Sequence, residues 1–287
     1  DTQAMGGATA GCTHCEPCRC PCESDSPSRN LDMMLLESTR ATHTFENGAT
    51  YTGEWKGTRR SGCGVQVWPD GATYEGYWLD DKMHGYGRYF HASGGIYDGE
   101  WREDQAHGYG IYVQADGSRS EGHWMFDKQC GEGFEELSDG ARYKGGYVHG
   151  CKHGHGRFEW ADGSHYEGQF ADNHIDGEGV YIWSDGRRFE GQWVRNRMEG
   201  RGLFTWSDGR SYCGDYLNDL KHGKGVFTWP DGSTYDGSWK HGKQHGRGLS
   251  STRGARPVES EWYEGTRVQR SISDVSTAEQ EYMDPEL

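Results

Sequence analysis

Long apolar runs are missing from this chain, and aliphatic side chains are scarce. No stretch reaches the roughly 18 consecutive apolar residues of a membrane-crossing helix. No basic start followed by a short apolar run reads as a signal peptide. Only 32% of the 287 residues are hydrophobic and mean hydropathy is -1.00, which is too little for one thick core. Aromatic residues reach 13%, too many for a disordered chain. Basic residues are also short, with 30 Lys and Arg against 45 Asp and Glu, a net charge of -15. No Lys/Arg cluster is visible, which argues against a nucleic-acid partner and against a purely electrostatic hold on anionic lipid. A basic stripe on one face, or a lipid anchor, stays compatible with that balance. Nine cysteines is an odd number. Five crowd between Cys12 and Cys22, while Cys63, Cys130, Cys151 and Cys213 stand singly, so the chain reads as reduced and cytosolic. A nucleophile elbow, an HExxH pair, a Walker loop and a kinase signature are all absent. The carboxylates recur along the chain as a solvated face. The expectation is a non-enzyme without a cofactor.

Glycine is what the chain has in excess, with 46 copies, and its placement is periodic. A 23-residue unit opens at Tyr51, Tyr74, Tyr97, Ser120, Tyr143, Tyr166, Phe189, Tyr212 and Tyr235, with a partial tenth unit at Val258. A fixed period has to be read as a repeat array before anything else. Tyr74, Gly76 and Trp78 lie two apart and share one face of a strand. The central glycine is expected to leave a gap that aromatics of the neighbouring strand fill. Gly-x-Gly pairs such as Gly85/Gly87 follow polar turn residues and open a second strand. A phosphate-cradling loop would need a helix behind it, whereas Val65-Gln66-Val67-Trp68 is β-prone. Asp-Gly, as at Asp70-Gly71, closes the unit and predicts a tight hairpin with both central residues at positive φ. The fold expected is all-β, an elongated, twisted, single-sheet antiparallel meander of about nine to ten hairpin repeats.

YEGYW…HGYG and YDGSW…HGRG resemble the MORN (membrane occupation and recognition nexus) repeat. The resemblance covers residues 51–248 fully and 42–265 loosely. It implies a twisted β-meander and a non-catalytic role as a protein scaffold at membranes, cortical cytoskeleton or cilia. Lipid binding has been proposed for such repeats less securely than protein binding. MORN arrays also precede catalytic domains in plant phosphatidylinositol phosphate kinases and a SET-domain methyltransferase. The segments flanking this array are too short for either.

Three sets of side chains stand out. The first is the aromatic stripe Tyr74, Trp78, Tyr97, Trp101, Trp124, Tyr143, Tyr166, Trp193, Tyr212, Tyr235 and Trp239. It is a candidate surface for a partner helix or extended peptide, and equally the stacked core of the array. The second is Cys151, His153 and His155, a weak metal candidate. A metal needs three or four ligands converging at about 2.0–2.3 Å, and a ladder of repeats does not converge by itself. Histidine also recurs before Gly-x-Gly at His84, His107, His153, His222 and His245. The third is Gly6 with Cys12, Cys15, Cys18, Cys20 and Cys22. Met5-Gly6-Gly7 resembles a myristoylation start, although Thr9 falls one position early, and the cysteines would take a second acyl chain. A zinc knot or a plain Cys-rich tail are the other readings of 1–29.

Residues 30–41 predict a short capping helix and 266–287 an acidic tail, with the array over 42–265. The array departs from the pattern at Ser93, Gln114, Ser120 and Leu137. That is either drift or an altered groove for a partner. The reading is a scaffold holding protein partners at a cytosolic membrane face or cortical cytoskeleton, with homodimerisation along the ribbon compatible. The alternatives are an axonemal or cytoskeletal subunit without lipid contact, and a phosphoinositide-binding module related to the MORN-containing kinases.

Overall fold

The computed structural model describes residues 41–268. The Cys-rich segment 1–29, the helix expected over 30–41 (save Ala41) and the tail from 269 lie outside the described residues. All regular structure among the described residues is β-strand. Strand Thr266–Val268 pairs with Val258–Tyr263, so the sheet runs three residues past the expected boundary at 265.

The chain divides into two units, 1–153 and 154–287, within the strand Cys151–Glu159. In the first unit each strand from His43–Thr44 to Arg142–Val148 pairs antiparallel with the next. In the second the same holds from Cys151–Glu159 to Thr266–Val268. Seven-residue and nine-residue strands alternate, as in Thr73–Leu79 and Lys82–Phe90.

The two kinds of turn are the reverse of the expectation. The loop at Asp70-Gly71 is a three-residue connection, with Gly71 N–H donating to Trp68 O at 3.0 Å and Trp68 N–H to Ala72 O at 2.9 Å. Only the glycine has positive φ, +90°, and Asp70 Oδ1 accepts from Ala72 N–H at 3.0 Å. This is a type I turn closed by a left-handed glycine. The tight two-residue turns lie instead after the aromatic strand, where Asp80 and Asp81 take φ of 49° and 70°. Asp, Asn and Gly tolerate that region best, which explains Asp104, Asp127, Asn196, Asp219, Gly242 and Gly265 at the second position.

The core is one layer of rings lying flat on glycines. Tyr74 folds back over Gly76 and Gly87, which oppose each other across the strands. A Cβ on Gly76 would fall 2.5 Å from Tyr74 Oη and 2.6 Å from Gly87 Cα. The gap is therefore filled by the tyrosine of the same strand, not by a neighbouring strand as expected. Tyr74 Oη donates to Tyr77 O at 3.0 Å, beside a β-bulge at Gly76/Tyr77. Trp78 then stands edge-on to Tyr74 at 5.1 Å and to Tyr51 of the preceding repeat at 5.6 Å. Its Nε1 donates to Gly64 O at 3.3 Å. Each edge-to-face pair adds about 1 kcal/mol beyond burial. In the second unit Phe189 lies on Gly202 in the same way, completely buried and without a hydroxyl. The ring, not the hydrogen bond, is the invariant requirement there.

Replacing Gly76 with Ala should therefore destabilise the first unit by about 2 kcal/mol through overpacking. Tyr166→Phe should cost about 1 kcal/mol in the second, the worth of one hydrogen bond. Denaturant midpoints of the two variants check the order.

Candidate interaction surface

Alternation along the strands separates two faces. Tyr212, Gly214 and Tyr216 share one face with Lys221, Gly225 and Phe227 across the ladder. The histidines before Gly-x-Gly point the other way, as the pairs Tyr77↔His84 and Asp215↔His222 show. Burial holds the His107 imidazole below its ordinary pKa, with Arg102 adding to the effect. That outer face also carries paired charges such as Arg88–Asp98 at 2.8 Å, with Tyr86 on the same carboxylate. Both side chains of that pair are half-buried.

The eleven rings of the expected stripe form the buried layer rather than a docking surface. Tyr74, Trp78, Tyr97, Trp101 and Tyr143 are buried in the first unit, with Trp124 half-buried. Tyr166, Trp193, Tyr212, Tyr235 and Trp239 are buried in the second. Burial pushes the phenol pKa of Tyr74, Tyr166 and Tyr212 well above the ordinary range. The accessible rings of that same face stand one step further along the hairpins. They include Trp68, Tyr89 and Tyr112 in the first unit, and Trp160, Tyr181, Trp183, Trp206 and Trp229 in the second. Trp183 stacks on Phe204 at 5.2 Å and Trp206 on Phe227 at 5.6 Å, so the row is continuous within its unit. The Trp positions before Asp-Gly were visible in the sequence; their exposure was not.

Cys151, His153 and His155 lie along the strand Cys151–Glu159, and among the described residues no three His, Cys, Asp or Glu side chains converge on a metal position. Gly6 and the five N-terminal cysteines lie outside the described residues. At the irregular repeats, Ser120 and Gln129 are buried polar side chains, and Lys152 pairs with Glu135 beneath Tyr143 and Tyr147. The change there is from stacked rings to a polar cluster.

Sequence reading missed two devices. One is a latch between repeats. Asp104 Oδ1 accepts Met83 N–H at 2.8 Å while Asp104 N–H donates to Met83 O at 3.1 Å. Asp81, Asp127, Asn196 and Asp219 repeat the motif onto Arg60, Ala106, Ile175 and Met198. The recurrence of Asp or Asn at this turn position was its signal.

The other is a cation inside the aromatic layer. Lys221 Nζ lies 4.3 Å from the Trp239 ring centroid, 4.7 Å from Phe227, 5.5 Å from Tyr212 and 5.8 Å from Trp206. The corresponding residues in other repeats are Met83, Ala106, Gln129, Ile175, Met198 and Gln244, or cations with partners of their own. Arg60, over Trp78 at 4.1 Å, reaches Asp81 Oδ1 at 3.2 Å and Gln66 Oε1 at 2.8 Å. Lys152 has Glu135. The turn facing Lys221 supplies Gly242, whose N–H donates to Lys221 O at 2.8 Å and which brings no carboxylate. Burial pushes the Lys221 ammonium down to about 8, and Arg210 adds to the effect.

The all-β hairpin array with this ring layer defines a repeat protein. The MORN repeat model matches nine consecutive segments, 51–73, 74–96, 97–119, 121–142, 143–165, 166–187, 189–209, 212–234 and 235–250. The chain belongs to the MORN repeat family, a generally non-catalytic repeat module. Similar solved structures include the wild-type TCP10 domain of Danio rerio CPAP in complex with a peptide of Danio rerio STIL. It is 11% identical, with 78% of this chain and 100% of that one covered and a TM-score of 0.39. The SAS-4 (dCPAP) TCP domain of Drosophila melanogaster, in complex with a proline-rich motif of Ana2, is 12% identical over 78% and 99%, at 0.30. At those values the likeness carries no argument about this chain. No curated protein matches it.

Because the folded Lys221 pKa lies below its unfolded value, the unfolded chain holds more protons between about pH 8 and the ordinary lysine range. Stability should therefore rise with pH across that window by an increment due to Lys221, with Arg210 and Tyr212 its charged and titratable neighbours. Lys221→Met should lose this increment and be at least as stable at pH 7. Denaturant midpoints of both proteins at pH 7.5 and 9.5 measure it.

Proposed function

We propose that this chain is a non-catalytic scaffold whose accessible ring rows hold protein partners at a cytosolic membrane face or cortical cytoskeleton. The observation that carries the binding role is the row Trp183, Trp206 and Trp229, half-exposed above the buried layer. Among the described residues no second sheet covers this face, so planar rings remain open to an extended peptide or an amphipathic helix. Removing such rings removes binding surface while the tyrosine–glycine core below stays intact. In selections from a display library of twelve-residue peptides on the full chain, Trp183→Ala with Trp206→Ala should weaken recovered ligands about tenfold or more. Leu249→Ser, on the opposite face of the second unit, should leave them unchanged. Ligands indifferent to the ring row would overturn the binding role.

The membrane reading rests on Gly6 and the cysteines Cys12, Cys15, Cys18, Cys20 and Cys22. One myristoyl chain binds a bilayer marginally, and a second acyl chain makes the hold stable. Expression from Met5 in eukaryotic cells should give an acyl mass and membrane pelleting that both vanish in Gly6→Ala. Intact mass and fractionation test this. Unmodified protein retained in a detergent-resistant cytoskeleton would replace it with the axonemal or cytoskeletal role. Saturable headgroup-specific vesicle binding would favour the phosphoinositide-binding module. Dimerisation through a sheet edge belongs to the same scaffold reading and is tested by the mass in solution.

A further inference from the structure

We propose that Lys221 is a receptor for a single carboxylate of a partner peptide, seated among Trp206, Phe227 and Trp239 with apolar residues of the peptide lying on the neighbouring rings. The inference rests on the scaffold reading above and names the chemistry of its partner.

The argument begins with cost. Taking an ammonium out of water is unfavourable unless an anion or hydrogen-bond acceptors replace the water. Four rings within 6 Å return part of that through cation–π attraction. Arg60 and Lys152, in the corresponding place of other repeats, have an internal carboxylate as well. At Lys221 both sources are replaced. Gly242 stands where Asp81 stands for Arg60, and Phe204 stands where Glu135 stands for Lys152. The fold does not require a cation there, since Met83 and Met198 occupy the same place. What remains is a half-buried positive charge with rings around it and no carboxylate paired with it among the described residues, in a chain of net charge -15.

That overall charge also selects the ligand. A densely acidic segment or an anionic bilayer would be repelled by the surrounding Asp and Glu. A bilayer is held by clustered basic residues rather than by one recessed lysine. A peptide with one Asp or Glu between apolar residues satisfies both the charge and the ring row. Its carboxylate accepts a charge-assisted hydrogen bond from Nζ where water is partly excluded.

The test uses the full chain, the same twelve-residue display library, and Lys221→Met beside Lys224→Met, whose lysine is exposed on the opposite face. Wild type and Lys224→Met should enrich peptides with Asp or Glu at one fixed position between apolar residues. Lys221→Met should keep its melting temperature and lose that preference. For a recovered peptide, changing the acid to its amide should weaken wild-type binding about tenfold to a hundredfold and leave Lys221→Met unaffected. Peptides without an acidic preference that still need the ring row would overturn the carboxylate receptor and leave the scaffold reading standing. No enrichment at all would overturn both. Vesicles with and without phosphatidylinositol phosphate are the second arm. Binding to them that vanishes in Lys221→Met would overturn the peptide in favour of a lipid.

Discussion

A tyrosine ring lying on two facing glycines is the contact on which the rest of this protein depends. A sheet one layer thick has nothing above it to bury an aromatic side chain upright. The ring must lie down, and it can do so only where both strands lack a Cβ. Tyr74 over Gly76 and Gly87, and Phe189 over Gly202, meet that condition. Once the ring is flat, its edge and face are offered to the tryptophan two residues beyond the glycine and to the tryptophan of the next repeat. The T-shaped contacts at 5–6 Å follow from this geometry. Stability is thus passed from neighbour to neighbour, as in other repeat arrays.

The same constraint explains the outer layers. The bulge beside the paired glycines brings a carbonyl within reach of the tyrosine hydroxyl. The left-handed turn that follows places an Asp or Asn against the free backbone of the repeat before it. Departures from the pattern are tolerated when something fills the space above the glycines. Ser120 does not fill it, and a buried polar set with Lys152 and Glu135 stands nearby instead. A cation in the layer is compatible with the fold because the ring faces carry negative potential. Lys221 differs from Arg60 and Lys152 in having no anion beside it among the described residues.

The repeat period, the strand character of each half-unit and the face shared by the rings were legible in the sequence, because glycine and aromatic spacing of two has one meaning on a strand. The turn chemistry was misassigned for a physical reason. Asp-Gly suits both a two-residue turn and a three-residue loop, and only the hydrogen bond from Gly71 to Trp68 distinguishes them. The aromatic stripe was read as either surface or core, because parity names a face without naming its depth.

Sequence alone determined that this is a repeat array of hairpins closed by glycine-bearing turns, since period and residue type are local properties. Tertiary structure decided which rings are buried and which are offered, how each turn grips the repeat before it, and that Lys221 stands among rings with no anion from the described residues. Those outcomes depend on which side chains meet across strands, and residues 21 apart, such as Met83 and Asp104, become neighbours only when the sheet forms.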